Sequence, residues 1–139
     1  MRYLTPSVRI FLLVLLVATG AFRVSLSHLL DAESWTAVGL LAVGYGLALF
    51  IAGWVLGVRD DDHLPVMDLG LRFHAATYVV FHAVSYGWML WGDPAASETL
   101  HALHWTAFIW GVLLAVHIAL WYGLRRRSID GLDRDRIFE

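Results

Sequence analysis

From Trp35 to Val58 the chain carries no charged side chain. At ~1.5 Å of rise per residue a helix of that length reaches about 36 Å, against a hydrocarbon core of about 30 Å. A membrane-spanning helix is the economical reading, because a helix satisfies its own backbone hydrogen bonds where water is not at hand. The rest of the chain has the same character: 59% of its 139 residues are hydrophobic and 14% aromatic, with a mean hydropathy of +0.64. The chain therefore reads as an all-α integral membrane protein, and one bundle accounts for nearly all of it.

Three further apolar runs flank or follow the first. The N-terminal segment has the basic lead and apolar run of a signal sequence, with Pro6 suited to a helix start, and is read here as a retained first helix over 8–30. Arg23, near its far end, is expected to snorkel towards the interface. The remaining spans are placed at 35–58, 70–92 and 100–124, giving a four-helix up-down transmembrane domain over 1–124. A charged tail follows at 125–139, with Ile129, Leu132, Ile137 and Phe138 available for docking. The loop at 59–70 holds three consecutive acids, Asp60, Asp61 and Asp62, and Pro65, with a short interfacial turn expected at Leu64 to Leu69.

Charge sets the orientation. All ten cationic residues are arginine, and with alternating helices every one except Arg23 falls on a single side. The positive-inside rule then places both termini in the cytoplasm of a multi-pass cell-membrane protein. Most of the seven tryptophans, among them Trp35, Trp54, Trp88, Trp91, Trp105 and Trp121, gather near the two interfaces as anchors. In the second helix Gly39, Ala42, Gly46, Gly53 and Gly57 recur at spacings that let backbones approach, so Gly46 and Gly53 are expected at a helix–helix contact or an oligomer seam.

Cysteine is absent, which excludes disulfides, thiolate metal sites and c-type haem attachment. No triad, phosphate loop or dinucleotide fingerprint is found, and the arginines end helices without forming a nucleic-acid surface. What stands out is a polar stripe on the third helix. At ~100° per residue His74, Tyr78, His82, Ser85 and Met89 share about a quarter of the circumference. In lipid such a stripe must face protein, a cavity or a cofactor.

The third and fourth helices form a hairpin whose turn is centred between residues 95 and 96, and His74 and His117 are equidistant from it. They are therefore expected level with each other and facing the bundle interior. Two neutral imidazoles at one depth suit a b-type haem, a quinone site, a metal or a proton relay, with His82 and Tyr78 as further candidates. A haem would need the pair splayed apart, because closely packed helix axes lie only ~8–10 Å apart. A second, weaker cluster, His28, His101 and His104 with carboxylates of the two turns, has spacing compatible with zinc.

Two classes of function follow, with a plainer third. The chain is either a redox subunit holding haem b or a quinone for a partner, or a homo-oligomeric ion or proton channel or small-solute transporter with its pathway along the stripe. The third possibility is a cofactor-free accessory subunit of a membrane complex. No self-contained catalytic motif is present.

Overall fold

The computed structural model describes residues 5–58 and 66–130, and these are all helix or connecting turn. Four helices follow one another: α1 (Pro6–Asp31), α2 (Trp35–Val58), α3 (Val66–Trp91) and α4 (Leu100–Asp130). Three of them, α1, α2 and α4 over Leu100–Leu124, are long and apolar enough to cross a membrane. The expected α3 differs in kind: its polar stripe makes it the least suited of the long helices to face lipid alone.

Local chemistry sets the ends. Thr5 caps α1, its hydroxyl accepting from the Val8 N–H at 3.3 Å, with Pro6 in the first turn where its missing N–H costs nothing. At the other end the Ala32 N–H bonds the His28 carbonyl, and Glu33 takes a positive φ of 52° to reverse the chain before α2. Thr99 caps α4 through the Ala102 N–H at 3.2 Å. Helix α3 starts at Val66, four residues before the expected Gly70, so the interfacial turn expected at Leu64 to Leu69 is partly its first turn. Helix α4 runs on to Asp130 rather than stopping at Leu124. The acidic loop residues Asp60 to Asp62 and the tail residues Leu132, Ile137 and Phe138 lie outside the described residues.

The packing is not a closed ring of four. Among the described residues α1 packs on α2 and on α3, α4 packs on α3 alone, and α2 only grazes α3. The core lies between the first three helices, where Phe11, Leu15, Leu49 and Leu56 are buried with Phe73, Ala76 and Val80 against them. Phe11 and Phe73 meet edge to face with centroids 4.6 Å apart. Thr19 donates to the Leu15 carbonyl at 2.7 Å, which leaves its oxygen to accept from the Tyr45 hydroxyl at 2.8 Å and ties α1 to α2.

The glycine expectation divides. Gly53 lies in the helix contact, since a methyl group there would come 3.7 Å from the Phe11 ring, and Gly57 faces Phe73 at 3.5 Å. Gly46 does not: nothing lies within 4 Å of a side chain built on it. Gly46 lies on nearly the same side of α2 as Gly53, seven residues away, but at its level no neighbouring side chain such as the Phe11 or Phe73 ring reaches it.

Candidate functional site

The polar stripe of α3 is shared between two neighbours. His74 and Tyr78 bond to α4, the His82 ring packs on Trp110 of the same helix, and Met89 lies against Arg23 of α1. His74 and His117 are brought together, with their Nδ1 atoms 3.0 Å apart and ring centroids 5.3 Å apart. Nearby, the Tyr78 hydroxyl donates to the Ala107 carbonyl at 3.2 Å, a crossing made possible by Gly111, where an added methyl would stand 3.2 Å from that hydroxyl.

Partners assign the protons of the histidine pair. The Trp110 indole N–H donates to His74 Nε2 at 2.8 Å. An indole can only donate, so His74 Nε2 is bare and its hydrogen sits on Nδ1. His74 then donates to His117 Nδ1, which leaves the hydrogen of His117 on Nε2. Both rings are neutral, and the chain Trp110, His74, His117 runs in one direction.

His74 also lines an apolar cleft of about 490 Å³ between α1, α2 and α3, walled by Phe11, Leu49, Phe50, Trp54 and Phe73, with Thr77 beside it. That volume is within the usual ~300–1,000 Å³ of small-molecule sites. A haem iron held between the two histidines would need each ligating nitrogen about 2 Å away on opposite sides. At 3.0 Å from Nδ1 to Nδ1 the rings are bonded to each other, and there is no room for an iron and its porphyrin between them.

His82 is buried, its Nδ1–H donating to the Tyr78 carbonyl at 2.8 Å, and its ring packs against Trp110 with centroids 5.6 Å apart. The weaker cluster is not assembled. His28 is exposed, His101 accepts from the Trp105 indole at 3.0 Å, and His104 stacks on Tyr86 at 5.7 Å. Among the described residues no three His, Cys, Asp or Glu side chains converge as a metal site would require.

The polar centre at the turn end was not expected from the sequence. Arg23 does not snorkel. It forms an ion pair with Glu98, each side chain only 7% exposed, and Glu98 also accepts from Ser27 and from the Ala95 N–H at 3.2 Å. Trp88 donates to Ser27 at 3.0 Å. Trp110 and Trp88, expected to be anchors or left unassigned, are hydrogen-bond donors to the two polar centres. A tryptophan one turn or more inside the interface, with a histidine or serine within reach on a neighbour, is the signal that finds them.

Compared with family models, curated proteins and solved structures, the chain shows no significant match.

Proposed function

We propose that the chain is a small membrane subunit with four spans and both termini cytoplasmic, which holds a quinone in the α1–α2–α3 cleft beside a proton-passing histidine pair. One observation carries the reading: His74 is at once a wall of the apolar cleft and a member of the hydrogen-bonded chain to His117. The cleft suits an isoprenoid tail, and the polar contacts it offers are acceptors: His74 Nε2, once the Trp110 indole is displaced, and the Thr77 oxygen, whose own hydrogen goes to the Phe73 carbonyl at 2.8 Å, both suited to a hydroxyl of the reduced, quinol form. When bound, the quinone supplies the redox chemistry, and a partner subunit exchanges the electrons. The distance between the two Nδ1 atoms favours this over haem b.

The chain's own part is proton transfer. A proton delivered from the cleft to His74 Nε2 displaces the Trp110 indole. The hydrogen on His74 Nδ1 then passes to His117 Nδ1, and His117 releases the one on Nε2. One proton enters, one leaves, and each ring ends in its other tautomer. A homo-oligomeric proton channel would use the same pair; it draws support from α2 and α4, whose outward faces are apolar and largely exposed.

Titrating a short-chain benzoquinone into the protein in nanodiscs tests the reading through tryptophan fluorescence, since Trp54 lines the cleft. Saturable quenching is expected, weakened about tenfold in His74→Phe, the equivalent of roughly 1.4 kcal/mol of lost polar contact, and abolished when Gly57→Trp fills the cleft. Quenching that rises linearly without saturation would remove the quinone, and proton flux retained in liposomes would then support the channel.

A further inference from the structure

Among the described residues three buried side-chain atoms have no hydrogen-bond partner: Arg23 Nε, His82 Nε2 and Ser85 Oγ. Their residues are 6%, 6% and 0% exposed. They are not scattered. His82, Ser85 and Met89 lie at spacings of three and four on α3 and so share one face, and the Arg23 guanidinium reaches that face, in contact with the Met89 sulfur at 3.9 Å. Side chains at such spacings stand ~5–6 Å apart, one turn above another.

Their hydrogen-bonding characters are complementary. Arg23 Nε carries a hydrogen and can only donate. His82 has its ring hydrogen on Nδ1, committed to the Tyr78 carbonyl, so Nε2 is a bare acceptor. Ser85 can do either. A single water accepting from Arg23 and Ser85 and donating to His82 satisfies all three, and about three hydrogen bonds is what a buried protein water makes. A metal cation would meet the guanidinium, and an anion would meet the His82 lone pair, so neither fits as water does.

We infer that α1 and α3 enclose a bound-water site between Arg23, His82 and Ser85, which joins His82 to the Arg23–Glu98 ion pair. The site gives His82 a route for proton exchange towards the turn end of the bundle. The groups facing it are Arg23 from α1, Glu98 beyond it in the turn, and Tyr78 on α3; α4 contributes the Trp110 ring, and α2 reaches the neighbourhood through Tyr45 on Thr19. None of these is a wall of the quinone cleft, so the site stands or falls separately from the reading above.

The test is magnetisation transfer from water protons to the histidine rings in the full-length protein, labelled with ¹⁵N-histidine and held in nanodiscs. Transfer to the His82 ring is expected, with exposed His28 as the positive control. Ser85→Val, which removes one donor and fills the space, should abolish it at His82 and leave His28 unchanged. Absence of transfer to His82 in the unaltered protein overturns the site, whatever the variant does, and so does transfer that survives Ser85→Val. Quinone titration of the same sample reads the cleft independently.

Discussion

The two polar centres of this bundle hold α3 to its neighbours by different means. At one, His74 and His117 meet as neutral rings, each hydrogen assigned by a partner, beside an apolar cleft. At the other, Arg23 and Glu98 meet as charges, shielded by Ser27, Trp88 and Met89. Neutral imidazoles cost little to bury once bonded and can give up or take a proton, so that centre can work. An ion pair buried to this extent is costly to leave half made, so that centre can hold. The contrast suggests a division of labour under the proposed function: the Arg23–Glu98 centre ties α1 to the α3–α4 turn, and the proton exchange we propose is assigned to the histidine centre.

The clamp is where the largest effect is expected. Glu98→Ala leaves Arg23 charged and unpaired, and should cost about 3–5 kcal/mol, read as a lowered thermal midpoint in detergent. The paired change Arg23→Met with Glu98→Met should restore most of that loss, because the pair is then replaced by apolar groups. If the double variant were as unstable as the single one, the centre would be held by something other than its charges.

Next in size is the packing beside the cleft. Gly53→Leu drives bulk into the Phe11 ring and should destabilise by about 1–3 kcal/mol, whereas Gly46→Leu, facing open space, should change stability by less than about 0.5 kcal/mol. Equal losses from both would mean that an unseen partner covers Gly46.

Smaller effects are expected at the histidines. His117→Ala should cost about 0.5–2 kcal/mol in an interhelical hydrogen bond but stop proton exchange at the cleft, so its functional loss should far exceed its stability loss. A thermal midpoint falling as far as in Glu98→Ala would erase the distinction between the two centres. Tyr45→Phe removes one hydroxyl bond to Thr19 and should cost about 1 kcal/mol, with no effect on quinone quenching.

How far the sequence carried is clearest at the same two centres. The level placement of His74 and His117 could be counted outwards from the hairpin turn, because adjacent antiparallel helices share a depth scale. The Arg23–Glu98 pair could not: its members are 75 positions apart on elements that are not neighbours in the chain, and an arginine near a helix end is ordinarily solvated. Apolar runs placed the helices within a few residues, but the end of α4 lies beyond its apolar run, where the arginines sustain a helix that hydropathy does not mark. Trp110 was hidden for a related reason, since a membrane tryptophan reads as an anchor until the acceptor across from it is known. The glycine spacing of α2 indicated close packing without saying which glycines face it, and only the Phe11 and Phe73 rings settle that.

The central claim, that a neutral histidine pair beside the cleft passes a proton, is tested most directly by ¹⁵N-histidine NMR of the protein in nanodiscs, without and with the short-chain benzoquinone. The account predicts His74 protonated on Nδ1 and His117 on Nε2, with a coupling across the bond between the two Nδ1 atoms and a shift of the His74 Nε2 signal on quinone binding. Both rings protonated on Nε2, with no coupling between them and no response to quinone, would contradict it.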